Sequence, residues 1–430
     1  MATSISSPEP RAFPLVSRVV CPHCWERFPP EDSLWIAEHA ELIGDPRLGA
    51  VHTRFLPSLF TPAGNAIDAR GETCHDLACP RCHLGLTRGM LELEPLFLSI
   101  LGSPGSGKSY FLASATWKLR ECLPHDFAVS FQDADPGANE LLNSWEQNLF
   151  LNPQPDRLYN PQVLIDKTVL EGGIYDQVDY GQHAVQYARP YLFSLRTTPG
   201  HLRANKSDTL ARMLCLYDNA GEHFQPGTDT AANPVTRHLA ISRALLFLFD
   251  PTQDRRFRDA AARGRPPAPG IDSRLNRQET ILNEAAARIR RHAGLAHNAR
   301  HDRPLIVVLS KFDAWSHLLD HDLDETPWKR SPTSGVCGLD CDRIEATSRE
   351  LKKLLQAHCP ETVAAAEALA GEITYIPVSS LGPRATQIDL ESGKPGIRPA
   401  DIQPFWASVP VLYALQRVLP GLIPRISRRA

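Results

Sequence analysis

Eight consecutive residues match the pattern G-x-x-x-x-G-K-[ST] in full: Gly102, Ser103, Pro104, Gly105, Ser106, Gly107, Lys108 and Ser109. An apolar run at 96–101 precedes them and a helical pattern at 110–121 follows, which predicts strand, loop and helix in that order. Glycines let such a backbone curl until several amide N–H groups point at one anion. We therefore expect a nucleotide's phosphates here, with Lys108 on the β- and γ-phosphates, Ser109 on Mg²⁺ and Tyr110 beside them.

The sequence beyond this loop alternates between strand and helix patterns. Short apolar runs predict strands at 191–198, 210–217, 244–249, 305–309 and 373–378. Amphipathic segments predict helices at 138–150, 278–292, 343–358 and 404–418. This alternation is typical of an α/β fold with a mostly parallel sheet flanked by helices. We assign it to a domain over 93–425, with insertions near 152–188, 254–273 and 315–340 that are rich in Pro, Gly or charge.

A second signal is the end of the predicted strand at 210–217. Asp218 follows that strand directly, and Gly221 comes three residues later. An aspartate at a strand end can hold Mg²⁺ through water, and a glycine N–H can contact a γ-phosphate. This spacing predicts a loop that senses the γ-phosphate.

Two further signals concern the nucleotide base. Ser310, Lys311 and Asp313 follow the strand at 305–309, and a carboxylate there can accept both the N1–H and the exocyclic amine protons of guanine. Adenine cannot offer that pair of donors, and the Lys311 stem can pack on the base plane. The last predicted strand leads into a loop whose backbone N–H groups could contact guanine O6, at Ser379, Ser380 and Leu381.

In this order, the four motifs resemble the first, third, fourth and fifth signature motifs of the Ras-like (TRAFAC-class) P-loop GTPases. The resemblance covers about residues 93–425 and implies a P-loop NTPase fold, guanine-nucleotide and Mg²⁺ binding, and slow hydrolysis of GTP to GDP. More narrowly, the layout is similar to the double-GTPase families of bacterial conflict systems. Lys108, Gly221 and Glu222 would then be the catalytic residues.

Two positions depart from the family pattern, and the family's switch threonine has no clear counterpart in this sequence. Ser310 stands where the family usually has Asn, and Glu222 stands where it carries the Gln that orients the attacking water. A carboxylate can hold water but adds negative charge near the phosphates, so we expect slow hydrolysis. The family also has a switch threonine that reaches Mg²⁺, and Thr168 is the candidate for it, although an ordinary loop threonine remains the alternative.

Matched cysteine pairs lie before the phosphate loop. Cys21 and Cys24 form one C-P-x-C pair, and Cys79 and Cys82 form the other. Two such turns can complete a tetrahedral Cys₄ zinc site, which would stabilise a zinc-ribbon-like module over 15–92 with an internal insertion. Nearby residues that could compete as ligands are His23, Cys74, His75 and His83. Residues 1–14 are predicted to be a disordered leader.

The composition of the chain is that of a globular protein and argues against a membrane-spanning or strongly basic one. The chain has 430 residues, a formal net charge of −3 and 42% hydrophobic residues, which is typical of a globular protein. The charge does not indicate a nucleic-acid partner, although a zinc ribbon leaves that partner open. No apolar run approaches the roughly 18 to 20 residues that span a bilayer, and residues 1–11 do not resemble a signal peptide, so we expect a cytoplasmic protein.

The leading hypothesis is a GTPase that acts as a nucleotide-dependent switch on a protein effector or complex. An ATPase is the second hypothesis, and Asp313 argues against it because its carboxylate suits guanine. A nucleotide-binding scaffold with little turnover is the third, and Glu222 and Thr168 keep it open.

Overall fold

The computed structural model describes residues 14–165, 175–218, 237–263, 277–389 and 393–426. Its largest sheet has seven strands, which we number in chain order. They are β1 (Glu94–Gly102), β2 (Val129–Asp133), β3 (Tyr191–Thr197), β4 (Arg212–Asp218), β5 (Ala244–Phe249), β6 (Leu305–Leu309) and β7 (Ile373–Pro377). The strands β5 and β6 have the predicted bounds, because an unbroken apolar run marks a strand that is buried on both faces.

The strand order across this sheet is β2-β3-β4-β1-β5-β6-β7. From β4 to β7 all neighbours are parallel, whereas β2 and β3 pair antiparallel at one edge. The α/β fold with a mostly parallel sheet is therefore confirmed. Parallel strands end at the same edge, so the carboxyl ends of β4, β1, β5, β6 and β7 lie side by side.

Six helices of ten or more residues accompany the sheet in the described residues. They are α1 (Lys108–Phe127), α2 (Glu140–Phe150), α3 (Glu279–Ala293), α4 (Cys341–His358), α5 (Pro360–Leu369) and α6 (Val409–Val418). Shorter α-helical segments are Pro161–Leu164, Ser207–Leu210, His238–Ile241, Arg255–Ala261 and Phe312–Trp315. None of the described helices is long and apolar enough to cross a bilayer.

Several element bounds differ from the sequence prediction. The final helix begins at Val409 instead of 404, and Pro410 lies in its first turn, where a missing N–H costs nothing, so it does not interrupt the helix. Strand β4 begins at Arg212 because residues 207–210 form a helical turn. Strand β2 was not predicted because, at the sheet edge, it buries only Val129 and Phe131.

Alternate residues of the central strands enter different cores. Leu246 and Leu248 of β5 pack on the face that is covered by α1 and α6, whereas Leu245, Phe247 and Phe249 pack on the opposite face. The helices α3 and α5 cover that opposite face over β5 to β7. The two faces are thus both buried, as a parallel sheet requires.

The cysteine-containing segment covers the rest of the second face. Its core joins all four paired cysteines to Met213, Cys215 and Tyr217 of β4. The hairpin formed by Tyr175–Asp179 and Ala184–Ala188 adds Val178 and Tyr187 to the same core. This part of the chain therefore takes the place that a helix layer occupies elsewhere on the sheet.

The remaining strands are short and lie outside the large sheet. Those before β1 are Val19–Val20, Arg27–Phe28, Leu34–Ile36, Ile43–Asp45, Gly49–His52, Arg54–Phe55, Leu77–Ala78 and Gly85–Leu86. Those after β6 are Trp328–Arg330, Cys337–Leu339, Thr386–Ile388 and Pro395–Ile397. Almost all of the predicted leader, residues 1–13, lies outside the described residues.

Candidate functional site

The glycine-rich loop lies between the end of β1 and the start of α1, as predicted. Gly105 and Gly107 adopt left-handed backbone angles, with φ of 77° and 91°, which only glycine adopts readily. The Lys108 ammonium donates to the carbonyl oxygens of Gly102 (2.8 Å) and Ser103 (3.1 Å). The Lys108 side chain therefore folds back over the loop whose bound phosphates it is predicted to contact.

Gly102 is required by a close backbone approach. A Cβ atom at this position would lie 2.6 Å from the carbonyl oxygen of Leu248 and 3.0 Å from the Ser106 hydroxyl. The Ser106 hydroxyl is buried and has no hydrogen-bond partner in the described part of the chain. A buried hydroxyl without a partner is costly, so this atom fits a site that receives a polar ligand.

Asp218 ends β4 and pairs in register with Ile100 of β1. Burial raises the pKa of its carboxyl group, while the neighbouring Lys108 acts in the opposite direction. Its Oδ1 atom is buried and lacks a hydrogen-bond partner among the described residues. A buried carboxylate oxygen beside a lysine is a suitable ligand for a cation or for water bound to one.

The residues predicted to read the base lie at the ends of β6 and β7. The Ser379 hydroxyl donates a hydrogen bond to Oδ1 of Asp313, and the Gly382 N–H donates to the Ser379 oxygen (2.9 Å). Burial raises the pKa of Asp313, whereas the Ser379 hydrogen bond lowers it. Ser379 therefore orients the carboxylate and satisfies one of its oxygens.

The loop after β7 is held by hydrogen bonds to its backbone. The Ser114 hydroxyl of α1 donates to the carbonyl of Ser380 (2.8 Å), and the Gln403 N–H donates to the carbonyl of Leu381 (2.9 Å). Because α1 also begins at the phosphate loop, the two loops share one rigid support.

Tyr110 faces the insertion after α2, since its hydroxyl donates to the carbonyl of Pro161 (2.8 Å). Three predicted residues, Thr168, Gly221 and Glu222, lie outside the described residues. The predicted switch elements thus stay predictions, whereas the structure brings the phosphate loop, Asp218 and Asp313 to one edge of the sheet.

Sequence reasoning missed Asp250, which follows β5 at the same edge. Its side chain is fully buried, and its carboxylate lies 2.7 Å from the Lys311 ammonium. Gln278 holds the Asp250 backbone at both its N–H (3.0 Å) and its carbonyl (2.7 Å), and Gln278 Oε1 lies 3.0 Å from the Ser103 hydroxyl. The position of Asp250 after a strand was a usable signal, but its pairing with Lys311 was not readable.

The four paired cysteines form a second site. All four are buried, and their sulfur atoms lie within 4.8 Å of one another. The Sγ atoms of Cys21 and Cys82 are 3.7 Å apart, and those of Cys24 and Cys79 are 3.6 Å apart. A zinc ion at about 2.3 Å from each sulfur of a tetrahedron would set the sulfurs about 3.8 Å apart. The cluster therefore fits a metal such as zinc.

Each cysteine pair forms the same tight turn. The His23 N–H donates to Cys21 Sγ and the Arg81 N–H donates to Cys79 Sγ, both at 3.4 Å. Trp25 and His83 follow the pairs with left-handed φ values of 60° and 64°.

Two of the predicted competitors for the metal, His83 and Cys74, have other partners. His83 lies 2.8 Å from the carboxylate of Asp45, and Cys74 donates to the Glu72 carbonyl. Within the described ranges, these four cysteines form the one group of three or more Cys, His, Asp or Glu side chains close enough together to share a metal ion.

Fold and sites together define a mixed α/β protein with a glycine-rich loop at the carboxyl edge of its large sheet and a four-cysteine cluster. The chain is 26% identical over 253 residues to the putative ESX-1 scaffolding and assembly protein SaeC of Mycolicibacterium smegmatis. The match covers 58% of this chain and 54% of the relative, so the chain spans about half of the relative's length. No family model matches the chain.

Similar solved structures are those of the GTPase-like domain of S. cerevisiae Ski7, one bound to GTP and one to GDP and inorganic phosphate. Both are 16% identical to this chain, with TM-scores of 0.26 for the GTP complex and 0.25 for the other. The GTP complex is matched over 69% of this chain and 46% of the Ski7 domain, and the GDP complex over 67% and 43%. These scores are low, so the proposed function rests on the residues of this chain.

Proposed function

We propose that the chain binds a guanine nucleotide with Mg²⁺ at the carboxyl edge of the parallel sheet and hydrolyses GTP to GDP. One observation carries the proposal: the glycine-rich loop, Asp218 and Asp313 lie at the carboxyl ends of β1, β4 and β6, which are parallel strands of one sheet. Ligands of parallel α/β sheets bind at that edge. The buried oxygens of Ser106 and Asp218, which have no hydrogen-bond partner among the described residues, support a polar occupant.

The phosphate end is assigned to the loop and its lysine. The N–H groups of residues 102–109 would surround the phosphates, and Lys108 would exchange its two carbonyl contacts for phosphate oxygens. Ser109 and Asp218 would hold Mg²⁺, which neutralises charge on the phosphates when bound. Gly221 would contact the γ-phosphate and Glu222 would hold the attacking water.

The base end is assigned to Asp313 and its neighbours. One carboxylate oxygen already accepts from Ser379, so the group is held in one orientation. It would accept the N1–H and the exocyclic amine of guanine, whereas the N1 atom of adenine is an acceptor and would face a negative charge. Lys311, paired with Asp250, would lay its stem along the base.

The four-cysteine cluster is proposed to be a closed structural zinc site. Four thiolate ligands leave no open position for substrate, and the cluster lies within a hydrophobic core. Zinc would stabilise a segment built largely from strands of two to four residues.

We further propose that the nucleotide state controls a protein partner or complex. The name of the M. smegmatis relative, a putative scaffolding and assembly protein, favours a role in assembling a complex. The same observation favours a second candidate function, a nucleotide-binding scaffold with little turnover. A single-turnover assay with labelled GTP separates the two, because a scaffold would leave GTP intact.

The decisive experiment titrates the zinc-loaded protein with fluorescent GTP, GDP, ATP and xanthosine triphosphate in Mg²⁺. Guanine preference is expected, and Asp313→Asn should weaken GTP binding by about tenfold or more. The same variant should bind xanthosine triphosphate more tightly than wild type does, because an amide can donate to the 2-oxo group that a carboxylate repels. Asp322→Asn, at an exposed position, is the matched control. Equal ATP and GTP binding, unchanged in Asp313→Asn, would overturn the guanine assignment.

A further inference from the structure

The first cysteine turn contacts the large sheet through Trp25, which follows Cys24. Its indole N–H donates to the hydroxyl of Tyr217 at 3.1 Å. That hydroxyl in turn donates to the carbonyl oxygen of Pro22 at 2.5 Å. Two residues of one metal-binding turn therefore hold the same tyrosine hydroxyl.

Tyr217 is fully buried and immediately precedes Asp218 in β4. Its ring stacks on His238, with centroids 4.5 Å apart and planes 16° from parallel. The Nδ1 atom of His238 lies 2.6 Å from the hydroxyl of Ser99, which is in β1 three residues before Gly102. The contacts thus run from the cysteines to both strands that lead into the proposed nucleotide site.

A restraint on Tyr217 can limit the position of Asp218, because both residues lie in the extended strand β4. Successive side chains of a strand point to opposite faces, so Tyr217 faces the cysteine core while Asp218 does not. The two residues share one peptide unit, and fixing the tyrosine restricts the aspartate backbone. A metal ligand must be held within about 0.5 Å of its working position.

We propose that Tyr217 is a positioning residue for Asp218, and that metal bound by the four cysteines strengthens Mg²⁺-nucleotide binding through Trp25 and Tyr217. The inference rests on the proposed function, since it assigns Asp218 to the nucleotide's Mg²⁺. Coupling between two binding sites is reciprocal, so Mg²⁺ and nucleotide should also tighten zinc binding by the same factor.

A purely structural role for these rings would give a different result. Loss of packing would lower stability and weaken nucleotide binding alike with and without Mg²⁺. Loss of a positioning contact weakens only the binding that passes through Asp218, and hence only the Mg²⁺-dependent part. The comparison of affinities with Mg²⁺ and in Mg²⁺-free buffer without a chelator therefore separates the two roles.

The test uses the full-length, zinc-loaded protein with Tyr217→Phe and Trp25→Phe, which remove a hydrogen bond but keep an aromatic ring. Trp35→Phe is the matched control, because Trp35 lies against Phe60 and Arg88. The dissociation constant of a fluorescent GTP analogue in Mg²⁺ should rise about fivefold or more in the first two variants. It should not change in buffer that lacks Mg²⁺ and contains no chelator, so that zinc stays bound, nor in Trp35→Phe. Unchanged affinity in Mg²⁺, or equal losses with and without Mg²⁺, would overturn the inference.

Hydrogen exchange without nucleotide gives an independent readout. Amides of Arg212–Asp218 and His238–Ile241 should exchange faster in Tyr217→Phe and after zinc removal, whereas those of β6 should not change. If the wild-type protein binds no nucleotide, the proposed function fails, and the exchange result alone decides whether the cysteine site restrains the Asp218 backbone. Unchanged exchange at Asp218 after zinc removal would contradict it.

Discussion

The hydroxyl group of Ser310 donates a hydrogen bond to the carbonyl oxygen of Ser106, and the two oxygens are 2.9 Å apart. Ser310 follows β6 beside the proposed base site, and Ser106 lies in the phosphate loop. The resemblance to Ras-like GTPases leads one to expect Asn at position 310, but the shorter serine still connects the segment after β6 to the glycine-rich loop.

Replacing Ser310 by alanine should weaken binding of the whole nucleotide. The variant loses one buried hydrogen bond to the glycine-rich loop, which is worth about 0.5–1.5 kcal/mol, or about two- to thirteenfold in affinity. Fluorescence titration with GDP in Mg²⁺ measures this change. Ser331→Ala is the control, because the adjacent Arg330 pairs with Asp126 at the end of α1 opposite to the glycine-rich loop. Wild-type affinity in Ser310→Ala would show that the bond does not shape the site.

Replacing Gly102 by alanine should destabilise the protein. The added Cβ would lie 2.6 Å from the carbonyl of Leu248, and backbone in the sheet has little room to move. Overpacking of this kind costs about 1–3 kcal/mol. Urea unfolding of Gly102→Ala measures it, and Gly200→Ala, whose Cβ would be 3.7 Å from the nearest heavy atom, should unfold like wild type. Equal midpoints for the two variants would refute the clash.

Removing one ligand of the four-cysteine cluster should release the metal. Elemental analysis should find about one zinc per wild-type chain and almost none in Cys79→Ala, whose thermal midpoint should fall by about 10 °C or more. Cys74→Ala is the control, because Cys74 is a buried cysteine of the same region outside the cluster. A full zinc complement in Cys79→Ala would mean that the metal is bound elsewhere.

Stability should fall as the pH drops below about 6.5, the ordinary pKa of histidine. Burial lowers the pKa of His238 to about 3 and that of His301 to about 4. Between those values and 6.5 the unfolded chain binds more protons than the folded one. Each histidine therefore contributes stability that is complete above pH 6.5 and is lost at up to about 1.4 kcal/mol per pH unit on acidification.

His301→Asn tests this pH dependence, because an asparagine oxygen can still accept the bond from the Arg303 N–H that Nδ1 accepts now. Urea unfolding of wild type and variant between about pH 5 and 7 measures both slopes. The free energy of unfolding should change less steeply with pH in the variant than in wild type. Contributions from other groups cancel in the difference between the two slopes. Parallel slopes would show that folding does not lower the pKa of His301.

Local sequence patterns predicted much of the fold. Residues 244–249 and 305–309 form strands with the predicted bounds, because their burial on both faces leaves an unbroken apolar run. The edge strand Val129–Asp133 and the helix Pro360–Leu369 were missed. The strand shows only weak alternation of apolar and polar residues. The helix carries apolar residues around most of its surface, so it lacks the 3.6-residue period of an amphipathic helix.

The candidate sites divide in the same way. The glycine-rich loop, Asp218, Asp313 and the cysteine pairs could be recognised as candidates, because each motif consists of residues close in sequence with a fixed spacing. The binding of nucleotide by the first three stays a proposal. The cytoplasmic location, the switch residues and the partner stay predictions.

Tertiary structure alone revealed the contacts that join the sites. Trp25 and Tyr217 are 192 positions apart, and Asp250 meets Lys311 only because β5 and β6 are neighbours in the sheet. Such pairs leave no local period or spacing in the sequence. They form when burial of apolar faces brings distant segments together, which is why the chain specified its binding motifs but only the folded protein specified how they are connected.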